Sequence, residues 1–336
     1  MPAAPTPTSA LSGCVAGFGN VGRSLTRLLQ RRPAGEVRMI GACDPAPAAR
    51  RAAAECGLAA TETLDELLAL KPDFLVIAST SAAHAEQICA AAAAGCHVFC
   101  EKPVALTLAD ADRAIAAAER AGVVTQVNYS LRYIAAYRRL REWAQAGRFG
   151  RILSVSHART RGFGLYAAGA RHPAVTAPEL SGGWAVHHAC HALDFLYWLN
   201  GPFRSIRGLT ATTAPNGAEE LVQAVLTFAD GAAGHVSDSV CGLRDHYTQV
   251  VGSAGAAVLT GEHEHTRLRF RAEGAEADEI VPVHDVKNHG LAFDEFFACI
   301  RGRRPSPHSL REARPSLAAA LGLQESARSG RVVALG

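Results

Sequence analysis

The sequence predicts two domains of different class: an α/β domain with a parallel sheet, then an α+β domain with a large, mostly antiparallel open sheet. From Leu11 to about Val127, apolar segments of strand type alternate with segments of helical periodicity, and such alternation is typical of a parallel sheet covered on both faces. Beyond Val127, strand-like segments follow one another, separated by turns such as Asp230-Gly231, which is typical of antiparallel pairing. A chain of 336 residues is long enough for two cores.

The first domain is expected to span residues 11–127, after a disordered tail at residues 1–10 that contains three prolines. Its strands are expected near residues 12–17, 36–43, 73–78, 97–100 and 123–127, and its helices near residues 20–32, 46–56, 63–69, 82–94 and 108–121. Ligands of such sheets bind beyond the carboxyl ends of the strands. The residues that follow each strand are therefore candidates for a binding site.

The second domain is expected to span residues 128–336. It is predicted to contain a helix near 133–146, a strand at 151–160, a loop at 161–180, a helix at 184–199, and strands near 205–213, 220–228, 233–241, 246–251, 256–260, 266–272 and 278–283. Helices are expected to cover one face of its sheet. The last helices, near 290–301 and 310–328, are candidates for packing back onto the first domain.

Residues 17–22 fit the pattern G-x-G-x-x-G in full, between an apolar strand and a helix with leucines at helical spacing. The first glycine permits a tight turn, the second lets the backbone approach a pyrophosphate, and the third lets the helix pack closely on the strand. The alternative is a glycine-rich turn without a ligand. The loop residues expected to bind a dinucleotide are Gly17, Phe18, Gly19, Asn20, Val21 and Gly22.

Asp44 ends the second predicted strand, about 20 residues after Gly22, as expected of the acid that binds the adenine ribose. A carboxylate accepts hydrogen bonds from both ribose hydroxyls and repels a 2′-phosphate. The nearest arginines, Arg50 and Arg51, are expected a turn or more into the next helix. The sequence therefore favours NAD over NADP, although Asp44 is also suited to cap that helix.

Two further segments follow predicted strands and are expected to reach the same crevice, namely Ser79-Thr80 and Glu101-Lys102-Pro103. Lys102 is one of three lysines in a chain that otherwise uses arginine, and the proline restricts it to extended conformations. An ammonium group here can stabilise charge on a substrate oxygen and share in proton transfer. The alternative is a solvated surface lysine.

A predicted helix carries the sequence His-His-Ala-Cys-His-Ala-Leu-Asp at residues 187–194. His191 is the candidate base because an unperturbed imidazole titrates near neutral pH; the alternative is a buried core histidine. Residues i, i+4 and i+7 share a helix face, so His187, His191 and Asp194 are expected to align. Asp194 is then placed to orient an imidazole or to tether the helix.

A metal ion at this helix is an alternative interpretation. His187 and His191 have the i, i+4 spacing that suits two imidazole ligands, and Cys190 and His188 are near in sequence. Cys190 and His188 are expected to point away from that face, and no carboxylate is evident as a third ligand. The preferred expectation is a site without metal.

With these motifs in this order, the chain resembles the glucose-fructose oxidoreductase and inositol dehydrogenase family, Gfo/Idh/MocA, over nearly its whole length. The resemblance rests on the glycine loop, Asp44, residues 79–84 and 95–103, and Gly182-Gly183 leading to residues 191–194. It implies a Rossmann domain, a second domain whose open sheet often mediates dimers or tetramers, and hydride transfer between NAD(P) and a hydroxyl carbon of a sugar, glycoside or cyclitol. The further cofactor-binding residues expected are Ser79, Thr80, His84, Glu101, Lys102 and Asn128.

One position departs from the family pattern. Many members carry an aspartate four residues before the catalytic histidine, where this chain has His187. A neighbouring cation lowers the tendency of His191 or Lys102 to hold a proton. The expectation is that Lys102 and His191 handle the proton and that His187 and Asp194 assist.

Aromatic and polar residues near the domain junction and the 161–180 loop are candidates for substrate contact, because an aromatic ring beside polar groups suits the face of a pyranose. The alternative for each is ordinary packing. These residues are Tyr129, Arg132, Arg161, Tyr166, Trp184 and His188.

Composition argues against several classes of protein. An apolar fraction of 49% with 19% charged residues is ordinary for a soluble enzyme, and a net charge of +3 is no nucleic-acid signature. The sequence has no apolar run of the ~18 residues that a membrane span needs and no secretory signal pattern. The nine cysteines lack a C-x-x-C pair, which favours reduced thiols and a cytoplasmic location.

The sequence thus predicts an NAD-dependent dehydrogenase or reductase acting on a secondary hydroxyl or ketone of a sugar, glycoside or cyclitol. A homodimer or homotetramer is expected to form through the sheet of the second domain. One alternative retains the nicotinamide and cleaves a glycosidic bond by transient oxidation and elimination, without net cofactor reduction. A further alternative is a non-catalytic NAD-sensing protein.

Overall fold

A computed structural model of the protein describes residues 10–162, 177–213, 215–261, 266–283 and 288–335. The strands are β1 (Leu11–Ala16), β2 (Val37–Cys43), β3 (Ala59–Thr61), β4 (Phe74–Ile77), β5 (His97–Cys100), β6 (Thr125–Val127), β7 (Ile152–Thr160), β8 (Phe203–Ala211), β9 (Leu221–Phe228), β10 (Ala233–Ser239), β11 (Asp245–Gly252), β12 (Gly255–Thr260), β13 (Arg267–Ala272), β14 (Glu279–Val281) and β15 (Val333–Ala334). The α-helices are α1 (Asn20–Gln30), α2 (Pro47–Glu55), α3 (Leu64–Leu68), α4 (His84–Ala93), α5 (Leu108–Ala121), α6 (Ala135–Gln145), α7 (Pro178–Ser181), α8 (Cys190–Asn200), α9 (His289–Gly302) and α10 (Leu310–Ser329).

The first of two compact units contains the described residues up to Ala105, Ala109–Asn128 and His289–Arg311. Its strands are all parallel, in the order β3-β2-β1-β4-β5-β6. The predicted α/β class is confirmed. The edge strand β3 was not expected, because its three residues are largely exposed and form no apolar run.

Phenylalanines explain why α9 belongs to the first unit. Phe74 of β4 and Phe99 of β5 are fully buried against Phe293, Phe296 and Phe297 of α9. The ring centroids of Phe99 and Phe293 are 4.2 Å apart, and those of Phe74 and Phe297 are 5.2 Å apart. Each buried aromatic ring stabilises the unit by about 1.5–3 kcal/mol relative to exposure, so this cluster joins a helix late in the chain to a sheet formed early in it.

The second unit contains the described parts of residues 129–288 and 312–335, together with Leu106–Leu108. Its sheet has the strand order β14-β13-β12-β11-β7-β10-β9-β8-β15. Only the β7–β10 pair in this sheet is parallel among the described residues, so the predicted mostly antiparallel sheet is confirmed. The short edge strand β15 was not expected, because two residues carry no periodicity.

Burial alternates along the strands of this sheet, so that one face is covered and the other is open. In β9, Val222, Ala224 and Leu226 are buried, whereas Val225 between them is 56% exposed. Leu209 on the neighbouring strand β8 is 60% exposed. Apolar side chains that are accessible on an otherwise regular sheet mark a surface suited to association.

Among the described residues, no helix is both long enough and apolar enough to span a membrane.

Gly208 of β8 lies where the sheet meets α10, and a side chain there is expected to destabilise the second unit. A Cβ atom at Gly208 would lie 2.3 Å from the backbone oxygen of Leu323, and overpacking of this kind costs about 1–3 kcal/mol. Gly208→Ala should lower the midpoint of thermal unfolding. Gly35→Ala is the matched control, because a Cβ there meets nothing within 4 Å; equal midpoints for the two variants would contradict the assignment.

Candidate active site

The glycine loop of the first unit joins β1 to α1 with the conformation that the sequence predicted. Gly17 has a φ of 87°, and a Cβ on it would lie 2.6 Å from the backbone of Ser79. A Cβ on Gly22 would lie 1.9 Å from the oxygen of Gly17, whereas a Cβ on Gly19 would meet nothing within 4 Å. Gly17 and Gly22 are therefore required by the fold, and Gly19 leaves the space through which a pyrophosphate can approach.

Asp44 is bonded to the glycine loop. One carboxylate oxygen accepts the backbone N–H of Phe18 at 2.8 Å, and the other accepts the N–H of Ala46 at 2.9 Å. A carboxylate offers about four acceptor positions, so Asp44 retains capacity for ribose hydroxyls. The Phe18 side chain is buried, and its backbone N–H is already bonded to Asp44.

Arg50 of α2 reaches back to the backbone beside Asp44. Its Nη1 donates to the backbone oxygens of Asp44 and Pro45 at 3.0 and 2.7 Å, and its Nη2 lies 3.1 Å from Oε2 of Glu62. The guanidinium is thus held by carbonyls and a carboxylate. The Asp44 carboxylate is not paired with Arg50, so its negative charge still disfavours a 2′-phosphate. This supports the preference for NAD.

His84 is a brace rather than a cofactor contact, contrary to expectation. Its imidazole is 1% exposed, with Nδ1 2.7 Å from the oxygen of Pro103 and Nε2 3.2 Å from the oxygen of Ser79. Burial lowers the pKa of this histidine. The ring therefore links the loop after β4 to the segment that follows Lys102. Ser79 donates its hydroxyl to Gln87 at 2.7 Å, and Thr80 is exposed.

Lys102 follows β5 and is partly exposed, with a cis peptide bond to Pro103. Its neighbour Glu101 accepts a hydrogen bond from Nδ2 of Asn128 at 2.6 Å. The same Nδ2 lies 3.1 Å from Nδ1 of His289 at the start of α9. The sequence placed Glu101, Lys102 and Asn128 together, but it gave no signal for His289, whose spacing matches no motif.

The histidine segment of the second unit begins at two glycines. Gly182 and Gly183 have φ values of 85° and 78°, which favour glycine. Oε2 of Glu219 accepts the backbone N–H of Ala185 at 2.8 Å, and a Cβ on Gly183 would lie 2.9 Å from that oxygen. Gln324 donates to both Glu219 and the oxygen of Gly182. A carboxylate is favourable at a helix start, so Glu219 anchors the segment.

A π-helical turn at Ala185–Ala189 precedes α8, and it was not predicted. Such turns make i→i+5 bonds, so the alignment expected from i, i+4 spacing does not apply here. The His188 ring packs against that of His191, with centroids 5.9 Å apart at 75°. The expectation that His188 points away is wrong. His187 is partly exposed, whereas His188 and His191 are buried.

Asp194 pairs with Arg132, which corrects the expected role of each. The guanidinium donates from Nε and Nη2 to the two carboxylate oxygens at 2.7 and 2.6 Å, and both side chains are at least 98% buried. Ser316 also donates to Asp194 at 3.0 Å. Asp194 therefore tethers the helix rather than orienting an imidazole, and Arg132 is too deeply buried to contact a substrate.

Other candidates for substrate contact are also buried. Tyr129 is 1% exposed and stands edge-on to the His191 ring, with centroids 6.1 Å apart. Trp184 is fully buried and stacks on His188 at 4.3 Å. These positions argue against direct substrate contact for Tyr129 and Trp184, which pack beside His191 and His188. His188 is 7% exposed, as accessible as His191 at 6%, and stays a candidate for substrate contact. Arg161 is partly exposed and stays a candidate, and Tyr166 lies outside the described residues.

In the described part of the chain, no three histidine, cysteine, aspartate or glutamate side chains are grouped as a metal ion would require.

The fold and the glycine loop define a nicotinamide-dependent oxidoreductase. Comparison with known families agrees: the profile of an oxidoreductase family with an NAD-binding Rossmann fold matches residues 12–129, and the C-terminal domain profile of the same family matches residues 137–258. The chain belongs to the Gfo/Idh/MocA family. It is an NAD-dependent oxidoreductase of the dehydrogenase or reductase type.

Individual relatives agree with this assignment. The chain is 29% identical over 291 residues to 1,5-anhydro-D-fructose reductase of Ensifer adhaerens, which covers 83% of this chain and 85% of the relative. It is 29% identical over 206 residues to inositol 2-dehydrogenase of Salmonella paratyphi B, covering 59% of this chain and 57% of the relative. The WlbA dehydrogenase of Bordetella pertussis, solved with NADH and UDP-GlcNAcA, is 25% identical with a TM-score of 0.84, covering 99% of each chain.

Substitutions at Gly19 and Gly22 should separate cofactor binding from folding. Gly19→Ala adds a methyl group into open space, so the thermal midpoint of the free protein should stay unchanged while the Kd for NAD rises about tenfold or more, equivalent to ~1.4 kcal/mol. Gly22→Ala should lower both stability and affinity, because its Cβ would overlap the backbone. Calorimetric titration with NAD and a thermal scan measure the two effects. Wild-type NAD affinity in Gly19→Ala would show that Gly19 is not needed for cofactor approach.

Proposed function

We propose that the protein transfers a hydride between NAD and a secondary hydroxyl or ketone carbon of a sugar, glycoside or cyclitol. The observation that carries the proposal is His191, a buried imidazole on a helical segment anchored by Glu219 and by the Arg132–Asp194 pair. The names of the two curated relatives, a sugar reductase and a cyclitol dehydrogenase, support the substrate class.

The chemistry requires two groups besides the cofactor. NAD supplies the hydride acceptor when it is bound. In the oxidative direction a base must take the hydroxyl proton, and a cation or hydrogen-bond donor must stabilise the charge that develops on oxygen. His191 has the residue type for the first task and Lys102 for the second. The partly exposed His187 is proposed to donate or accept a hydrogen bond with the substrate.

The cofactor-binding residues proposed in the first unit are the glycine loop, Asp44, Thr80 and the group Glu101–Lys102–Asn128. Asp44 would hold the adenine ribose, since its carboxylate stands at the end of β2 and is fixed by two backbone N–H groups. The contact between Asn128 and Glu101 would order the residues next to Lys102. These residues follow the carboxyl ends of parallel strands, where dinucleotides bind, and this placement supports the proposal.

A panel of pyranosides and cyclitols incubated with the protein and NAD tests the proposed function. The expected result is NADH absorbance together with a product two hydrogens lighter than its precursor. Cleaved glycoside without NADH would instead identify the redox-neutral oxidation and elimination. Absence of both products with NAD and with NADP would contradict catalysis on this substrate class.

Lys102→Met should reduce turnover of the substrate so identified by about a thousandfold, within the range for loss of an acid–base group. The Kd for NAD should change far less than turnover, because the substitution preserves side-chain length and leaves the glycine loop and Asp44 in place. Lys71→Met is the matched control, since Lys71 lies in the turn after α3, away from the glycine loop and β5 in sequence. An active Lys102→Met enzyme would overturn the proposed role.

We also propose a homodimer or homotetramer formed through the open face of the second unit's sheet. The exposed Leu209 and Val225 on neighbouring strands support this, since burying apolar surface drives association. Val225→Glu should reduce the mass measured by light scattering. Val332→Glu, at a position 63% exposed but outside the strands, should leave the mass unchanged. An unchanged mass for Val225→Glu would place any interface elsewhere.

A further inference from the structure

A buried ion pair of the second unit lies beneath the histidine segment. Asp238 of β10 and Arg159 of β7 are register partners in the parallel pair of strands. Asp238 is fully buried and Arg159 is 7% exposed, with Nη2 of Arg159 3.5 Å from Oδ2 of Asp238. Charged side chains are rarely buried to this degree without partners. Neither residue stands out in the sequence, because each lies within a strand and belongs to none of the motifs.

Asp238 holds the histidine segment at two points. Its Oδ1 accepts the indole N–H of Trp184 at 2.9 Å and lies 2.9 Å from Nδ1 of His188. Trp184 precedes the π-helical turn and His188 lies within it, so a single carboxylate oxygen fixes the turn at two points. A carboxylate at Nδ1 selects the tautomer of His188 that carries its proton on that nitrogen.

Arg159 is positioned over the His188 ring. Its Nη2 lies 3.1 Å from Nδ1 and 3.2 Å from Nε2. Nearly equal distances to both nitrogens place the guanidinium above the ring, since a donor in line with one lone pair would be far from the other nitrogen. The Trp184 ring stacks on His188 at 4.3 Å with an interplanar angle of 12°. His188 is thus held by a carboxylate at its edge, a cation over its face and an indole stacked on it.

His188 in turn packs against His191, with ring centroids 5.9 Å apart at an angle of 75°. Tyr129 also contacts the His191 ring, and the Arg132–Asp194 ion pair lies at the next turn of its helix, with its charges mutually compensated. Asp238 also interacts electrostatically with His157 and Arg161. His187 and Cys190 lie on the same segment. The Asp238–Arg159 pair therefore contributes opposed charges at hydrogen-bond distance from the stacked histidine.

We infer that Asp238 and Arg159 are positioning residues for the reaction: together they fix His188, and through His188 they set the orientation and proton affinity of His191. This inference rests on the proposed function, in which His191 accepts the substrate proton. The two residues act with opposite sign. Asp238 favours the protonated form of a nearby imidazole and Arg159 disfavours it.

Titration of the histidines by nuclear magnetic resonance tests the inference without any substrate. Protein labelled in its histidine rings is titrated with pH, and the resonances of His188 and His191 are assigned with His188→Asn and His191→Asn. Asp238→Asn leaves Arg159 uncompensated and should lower the midpoints of both rings. Arg159→Met removes the cation that is paired with Asp238 and should raise both midpoints. The shift at His191 should be at least about 0.3 pH unit and smaller than that at His188, which is nearer to the charges.

The double variant Asp238→Asn with Arg159→Met removes both charges and should return the two midpoints towards their wild-type values. It also avoids a lone buried charge, so it should fold even where a single variant does not. Thr248→Val is the control, since it removes the 2.8 Å hydrogen bond to His157 within the same sheet without changing charge, and it should leave His191 unaffected.

The outcomes separate the alternatives. Opposite shifts of His191 in the two single variants, with recovery in the double variant, support the inference. If His188 shifts and His191 does not, the pair only anchors the turn and the inference is wrong. Equal shifts in Thr248→Val would also overturn it. Because none of these measurements uses catalysis, they stay decisive if the sugar and cyclitol panel disproves the proposed function.

Discussion

The buried ion pair between Arg132 and Asp194 is the interaction on which the second unit's histidine helix depends. It joins the turn Ser130–Tyr133 to α8, and Ser316 adds α10 through its hydrogen bond to Asp194. Loss of one partner would leave an uncompensated charge in the interior, at a cost of about 3–5 kcal/mol. The Asp194 carboxylate lies one turn beyond His191, so the same contacts that stabilise the unit also fix the candidate base.

Carboxylates hold this segment along its whole length. Glu219 accepts the N–H of Ala185, Asp238 contacts Trp184 and His188, and Asp194 fixes the following helix. Burial raises the pKa values of Glu219 and Asp238. The groups that donate hydrogen bonds to them, such as the N–H of Ala185 and the indole of Trp184, are buried as well. Hydrogen bonds that are screened from water are stronger, so these carboxylates can keep the geometry of the site fixed during the proposed proton transfer.

The sequence was sufficient for the features that depend on periodicity and on glycine. Alternation of strand and helix predicted the parallel sheet, and the spacing of Gly17, Gly19 and Gly22 predicted the loop whose contacts the structure shows. It was insufficient where a side chain's role depends on a distant partner. Arg132, Tyr129 and Trp184 have the residue types of a sugar site, but contacts with Asp194, His191 and Asp238 place them in the interior. The π-helical turn could not be predicted either, because it widens one turn of the helix without altering the hydrophobic pattern. It brings the His188 ring against His191, where regular helical spacing had suggested His187.

The position of α9 has a consequence for how the protein is made. The first unit takes its strands from the beginning of the chain, but Phe293, Phe296 and Phe297 come from a helix nearly 200 residues after β5. As the chain leaves the ribosome, Phe74 and Phe99 are synthesised long before the rings that cover them. The nucleotide-binding unit therefore cannot complete its interior during translation until most of the second unit has also emerged.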